Sequence, residues 1–204
     1  MELEGIVGPQ YSGDGGLRTL RLSRDGAQVV RHQFSDAALR GKVFACANQT
    51  GVTTQAGLSG TTPALTLYNP KGSTVNAVML YAGCVMTVVN AAAAVVWLAA
   101  NTSPIAAAVT GTKAGVCSLI GSEAISQVQA FTAATLPAAP TAICQLGVGL
   151  TGAITLLPSM PAIGRYFRGE IVIAPGGAVS FQTSTASGAS GFFGEFIWEE
   201  APIT

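Results

Sequence analysis

Charge is scarce in this chain, and scarcest over most of its length. Only 10% of the 204 residues are charged, and eleven of the twenty charges fall within residues 1–42. The other 162 residues hold Lys71, Lys113, Arg165 and Arg168 against Glu123, Glu170, Glu195, Glu199 and Glu200. A free-standing domain keeps roughly a quarter to a third of its surface charged. A body this poor in charge is therefore expected to be covered by other chains or to lie in a membrane. The formal net charge is zero, which argues against the basic excess of a nucleic-acid binder.

Chemistry-bearing residues are equally thin. His32 is the single histidine, so a metal site has at most one imidazole. A nucleophilic triad would have to join His32 to Asp36, and both lie in the polar N-terminal stretch with no apolar pocket-forming run around them. No catalytic residue is assigned, and a hydrolase would have His32 as its only base. Cys46, Cys84, Cys117 and Cys144 form no CxxC pair and stand among small or apolar neighbours. They read as buried free thiols, not as metal ligands. Asp14 is a lone carboxylate among glycines, which does not make a calcium site. The glycines at 13–16 and the GxGxxG at 147–152 lack the following helix and the Lys-Ser/Thr of a phosphate loop, and read as flexible turns. No metal or cofactor is expected.

Aromatic residues make up only 7% of the chain, which weakens a sugar-binding reading. Trp97 and Trp198 sit in apolar runs and are expected in the core. Glu195, Glu199 and Glu200 read as rim charges on a terminal strand. The opening MELE lacks the basic and apolar regions of a secretion signal, so assembly in a reducing cytoplasm is the expectation.

What is present points to strands. Hydrophobic residues reach 49%, with 25 glycines and 10 prolines, a composition that suits many short strands joined by turns. Residues 78–100 run uncharged for 23 positions, long enough for a membrane helix. Gly83, Thr87 and Asn90 interrupt the run, seven alanines add little transfer energy, and no Lys/Arg clusters flank it. Two buried strands meeting near Asn90 fit better, and no membrane partner is expected.

Residues 1–42 form a polar arm and 43–204 a β-rich body. In the arm, runs at 17–23 and 27–31 flank Asp25-Gly26, a hairpin signal because glycine supplies the positive φ of a primed turn. Ser35 as N-cap and Gly41 as stop bracket a helical turn. Arg18, Arg21, Arg24, Arg31, His32, Arg40 and Lys42 are candidate partner contacts, since arginine forks match carboxylates on an acidic surface. In the body, strands are expected at 43–47, 64–68, 75–89, 94–100, 116–120, 143–146, 154–157, 168–174, 178–185 and 192–199. A loop is expected at 101–115, a short helix at 123–131, and turns at 69–73 and 175–177. Phe181, Phe192, Phe196 and Trp198 carry the alternating aromatic pattern of a sheet on a core, and are assigned to core packing or an oligomer contact. The fold class is all-β, a jelly roll or β-sandwich.

Three motifs resemble small virion structural proteins of tailed bacteriophages. They are GPQYSGDG at 8–15, LYNPKGS at 67–73 with Asn76 following, and GEIVIAPGG at 169–177 running on to FIWEEAP at 196–202. The resemblance implies a jelly-roll or sandwich module, often trimeric, on the capsid exterior as a decoration (cement) protein or in fibre and tail parts. It implies the major capsid protein and further copies of the chain as partners. It brings no catalytic residues, and nucleic acid is not an expected partner. The other reading is a tail or head-fibre adhesin that binds a host-surface glycan, for which an exposed aromatic cluster would be the discriminating feature.

Overall fold

The computed structural model describes residues 4–5, 18–19, 37–88, 92–102, 107–118, 123–149 and 163–203. The chain divides into two compact units, Met1–Asp36 and Ala37–Thr204. In the first, β1 (Glu4–Gly5) pairs antiparallel with β2 (Arg18–Thr19). The expected hairpin across Asp25-Gly26 lies, apart from Arg18–Thr19, outside the described residues, as do Arg21, Arg24, Arg31 and His32.

The second unit opens on one helical turn at 37–39. Gly41 ends it at φ 67°. Its N–H donates to the Ala38 carbonyl at 2.9 Å, and the Lys42 N–H donates to the Ala37 carbonyl at 3.0 Å. This pair of bonds is the Schellman closure, which needs a residue tolerant of left-handed backbone. Arg40 and Lys42 are the fourth and sixth residues of the body's unit.

Twelve strands follow: β3 (Val43–Ala47), β4 (Thr66–Tyr68), β5 (Val75–Met86), β6 (Ala94–Asn101), β7 (Thr110–Ala114), β8 (Val116–Ser118), β9 (Gln129–Thr135), β10 (Thr141–Gly149), β11 (Ile163–Tyr166), β12 (Val172–Ile173), β13 (Ala178–Thr183) and β14 (Phe192–Pro202). The first sheet runs β11-β5-β14-β3-β8, with β12 also on β5, and the second runs β10-β6-β13-β4-β9-β7. Four antiparallel pairs are nested in sequence: β3 with β14, β4 with β13, β5 with β11 and β12, β6 with β10. First strand meets last, second meets next to last, and successive pairs alternate between sheets. That wrapping is a jelly roll. The segment between β6 and β10 adds β8 beside β3 and β9 and β7 beside β4.

The core is where the two alternations meet. Along β14, Phe192, Phe196 and Trp198 face inward and are fully buried. From β13, Phe181 stacks on Phe196 at 4.6 Å and tilts against Phe192 at 5.5 Å, while Phe44 stacks on Trp198 at 6.1 Å. All four residues assigned to core or oligomer packing are thus core, each worth roughly 1.5–3 kcal/mol by burial. Trp97 is different. It is half-buried and pairs in register with Gln182 and Gln145, on the face of the second sheet turned away from this core.

Other expectations change for identifiable reasons. Residues 110–114 are a strand, not loop: their polar side chains are exposed at a sheet edge, so no apolar alternation marks them. A bulge at Gly111 (φ 152°), in the stretch facing Ala133 (φ 48°), fits them to β9. The helix expected at 123–131 does not form. The Glu200 carboxylate takes up the Gln127 and Val128 amides, and from Gln129 the chain is extended. The strand expected at 168–174 shrinks to β12, because the residues before it form a turn in which the Arg168 N–H donates to Glu170 Oε2 at 2.9 Å; β11 lies upstream of the expected span. Gly147 and Gly149 lie within β10, not in a flexible turn. The strand expected at 154–157 lies outside the described residues. The uncharged run 78–100 contributes to β5 and β6, which sit in different sheets. Among the described residues no helix is long and apolar enough to cross a membrane.

Candidate interaction surfaces

The two sheets differ in what covers their outer faces. The second sheet is covered over its central strands by its own loops. Ser59 and Gln182 exchange hydrogen bonds both ways, at 3.1 and 3.3 Å. Thr183 Oγ1 donates to the Gln55 carbonyl at 3.1 Å and Asn101 Nδ2 to the Ala138 carbonyl at 2.9 Å. Tyr68, Val109, Phe131, Ala134, Leu136 and Ala178 form a small second core there. As a result every residue of β13 is buried, on both faces of its sheet.

Among the described residues, no loop hydrogen-bonds across the centre of the first sheet's outer face. Odd positions of β14 (Phe193, Glu195, Ile197 and Glu199) alternate outward with the buried aromatics. Beside them on β5 stand Tyr81, Gly83 and Val85, and on β11 stand Gly164 and Tyr166. Tyr166 is 81% exposed and Val85 39%. The rings of Tyr81 and Tyr166 lie 4.7 Å apart at 49°, within the favoured range for an aromatic pair. Two glycines make the pair possible. A Cβ on either Gly83 or Gly164 would overlap the Tyr81 ring, so the phenol lies flat across both strands. Tyr81 O–H donates to the Glu195 carboxylate; burial first, then Glu195 and Tyr166, push the phenol above its ordinary 10.0. The result is a face of aromatic and branched side chains in which Glu195 stands beside the ring pair.

A cleft of about 480 Å³ opens at one edge of the jelly roll, where β10 of one sheet and β11 of the other face each other. Phe167, Ile173, Val179 and Ala100 line it, with Arg165 and Glu170 as its charged members. Arg165 Nη1 donates to Cys144 Sγ at 3.3 Å, and the guanidinium lies 5.3 Å from the Phe167 ring centroid.

The assigned partner residues are only partly described. Arg18 is placed in β2 by its backbone. Arg40 is exposed and Lys42 half-buried, beside Glu199. Burial lifts the Glu199 carboxyl above its ordinary value while Lys42 pulls it down. Glu200 is no rim charge: it is 7% exposed, and its Oε1 accepts from Ser126 Oγ at 2.5 Å, Gln127 N at 3.0 Å and Val128 N at 3.1 Å. Cys46 and Cys84 are buried, and burial pushes both thiols to about 12. Cys117 is exposed and Cys144 half-buried, against the expectation of four buried thiols. Among the described residues no three His, Cys, Asp or Glu side chains stand close enough to hold a metal.

Sequence reasoning missed the tyrosine pair because Tyr81 and Tyr166 are far apart along the chain and neither lies in an aromatic run. The Gly83 and Gly164 positions in otherwise strand-like segments were the available signal, since glycine in a strand marks a close approach. Comparison with known protein families, with curated proteins and with solved structures found no match.

Proposed function

We propose that the chain is a structural protein of a tailed-phage virion, a capsid decoration (cement) protein that seats on the major capsid protein and on copies of itself. The observation that carries this reading is the asymmetry of the two sheets. One outer face is covered by the chain's own loops over its central strand, β13, every residue of which is buried. The other presents Tyr81, Tyr166, Val85, Phe193 and Ile197 with Glu195 beside them. Interface cores are enriched in aromatics and depleted of charge in this way. A symmetric oligomer presents one such patch repeatedly, so a homotrimer covers a charge-poor body with few distinct contacts. Clamping neighbouring capsomers asks for buried area and no chemistry, which suits a body this sparing in titratable side chains.

A second reading, a tail or head-fibre adhesin that binds a host-surface glycan, is favoured by one specific feature. Tyr166 offers an exposed ring beside the Glu195 carboxylate, an apolar face next to a hydroxyl acceptor. Copy number on purified particles, measured by quantitative mass spectrometry against the major capsid protein, separates the two. Hundreds of copies in a simple ratio to the shell protein are expected for decoration. A dozen or so would transfer the chain to a tail or vertex and favour the adhesin. Absence from particles would remove both.

A further inference from the structure

The cleft between β10 and β11 combines three features that the docking face does not use. Its walls are apolar: Phe167, Ile173 and Val179 belong to the main core, and Ile143 on the lip is 46% exposed. Its volume of about 480 Å³ falls in the range of small-molecule sites, roughly 300–1,000 Å³. And it holds a guanidinium with no carboxylate partner among the described residues. Arg165 meets only the Cys144 sulfur and the Phe167 ring. Glu170, the other charge at the cleft, is turned to its own loop and accepts from the Arg168 amide.

We propose that this cleft binds an aliphatic monocarboxylate. The guanidinium fork takes the carboxylate by two parallel N–H···O bonds, and the hydrocarbon chain lies over Phe167, Ile173 and Val179. The walls select the class. A phosphate monoester brings a second negative charge for which the lining has no second cation. A sugar brings several hydroxyls, while Asn101 at the cleft has its Nδ2 given to the Ala138 carbonyl and only its Oδ1 left to accept. A neutral alkane or alcohol leaves the guanidinium unanswered. Arg165 is exposed at the mouth of the cleft, and a charged residue on an edge strand also discourages edge-to-edge pairing of sheets, but that role sets no preference among ligands.

The test is calorimetric titration of the full chain with octanoate, octanol and octyl phosphate, in wild type and Arg165→Gln. Octanoate is expected to bind saturably to the wild type. Octanol, octyl phosphate and the Arg165→Gln variant with octanoate are each expected to bind roughly tenfold or more weakly, the loss of one charge-assisted contact. A second readout needs no variant: octanoate should slow alkylation of Cys144, inside the cleft, and leave the exposed Cys117 unchanged. Equal binding of octanoate and octanol, no saturable octanoate binding, or unaltered alkylation of Cys144 at saturation would each overturn the proposal. None of these outcomes bears on the shell-docking reading, because Tyr81 and Tyr166 do not line the cleft.

Discussion

At the scale of single residues, two glutamates that look alike in sequence do opposite things. Glu200 is buried and satisfied: three donors from 126–128 converge on one oxygen. Glu200→Ala strands the Gln127 and Val128 amides, each at a cost of about 1–3 kcal/mol, so a loss of roughly 3 kcal/mol is expected in urea unfolding. Glu200→Gln keeps an acceptor there and should recover most of it; equal losses for the two variants would show that charge and not hydrogen bonding holds the segment. Glu199, its neighbour, is half-buried with a carboxyl raised by burial and opposed by Lys42. The folded chain thus keeps this proton to higher pH than the unfolded chain. The resulting stabilisation is complete below the unfolded value and is lost as pH rises through the raised folded value. Wild type should therefore lose stability relative to Glu199→Gln as pH rises from the ordinary carboxyl value of 4.5 through the raised folded one. Parallel stability profiles for the two proteins across that range would refute the assignment. From sequence both residues were rim charges, because the segment that Glu200 anchors lies over 70 positions upstream and only the folded chain brings it near.

At the scale of elements, legibility followed local pattern. β14 and β13 were readable because their buried faces alternate with period two and carry rings. The turn at 175–177 was readable because Pro175 fixes φ and Gly176, at φ 81°, takes the left-handed position. β7 was not, since an exposed edge strand of TGTKA has no apolar face to reveal it. β9 was mistaken for a helix because the hydrogen bonds that hold its entrance come from Glu200, outside any local window. One glycine sharpens the point. Gly194 faces the core between Phe192 and Phe196, and a Cβ there would come within 2.9 Å of the Phe181 ring. Its N–H donates to Asn48 Oδ1, whose amide group in turn reaches the Phe192 carbonyl at 2.9 Å. The backbone at 194 is thus pinned and cannot yield to the added methyl. Gly194→Ala should cost about 1–3 kcal/mol, the usual range for overpacking, read as a lowered midpoint of thermal or urea unfolding. An unchanged midpoint would mean that the Phe181 ring moves freely, contrary to its stacking on Phe196.

At the scale of the molecule, the nested pairing makes Ala37–Thr204 self-sufficient. Its first strand, β3, lies against its last, β14, and the Glu200 N–H donates to the Lys42 carbonyl at 2.8 Å, so the two ends of the unit close on each other. Among the described residues, β1 and β2 pair with one another in a sheet of their own. Most of the residues proposed as partner contacts, by contrast, lie before position 37: Arg18, Arg21, Arg24, Arg31 and His32. Stability and shell recognition are therefore expected to separate at that boundary. A chain beginning at Ala37 should unfold cooperatively, with a midpoint within a few degrees of the full-length protein, because it keeps every strand pairing of the two six-stranded sheets. It should also keep the oligomeric state of the full chain by light scattering, because the face around Tyr81 and Tyr166 is intact. Yet it should no longer decorate empty shells, for want of the arginines that would grip an acidic patch on the capsid surface. Decoration by the truncated chain would move recognition from the arm to the body, and loss of the cooperative transition would mean that the arm contributes to the fold as well as to the partner.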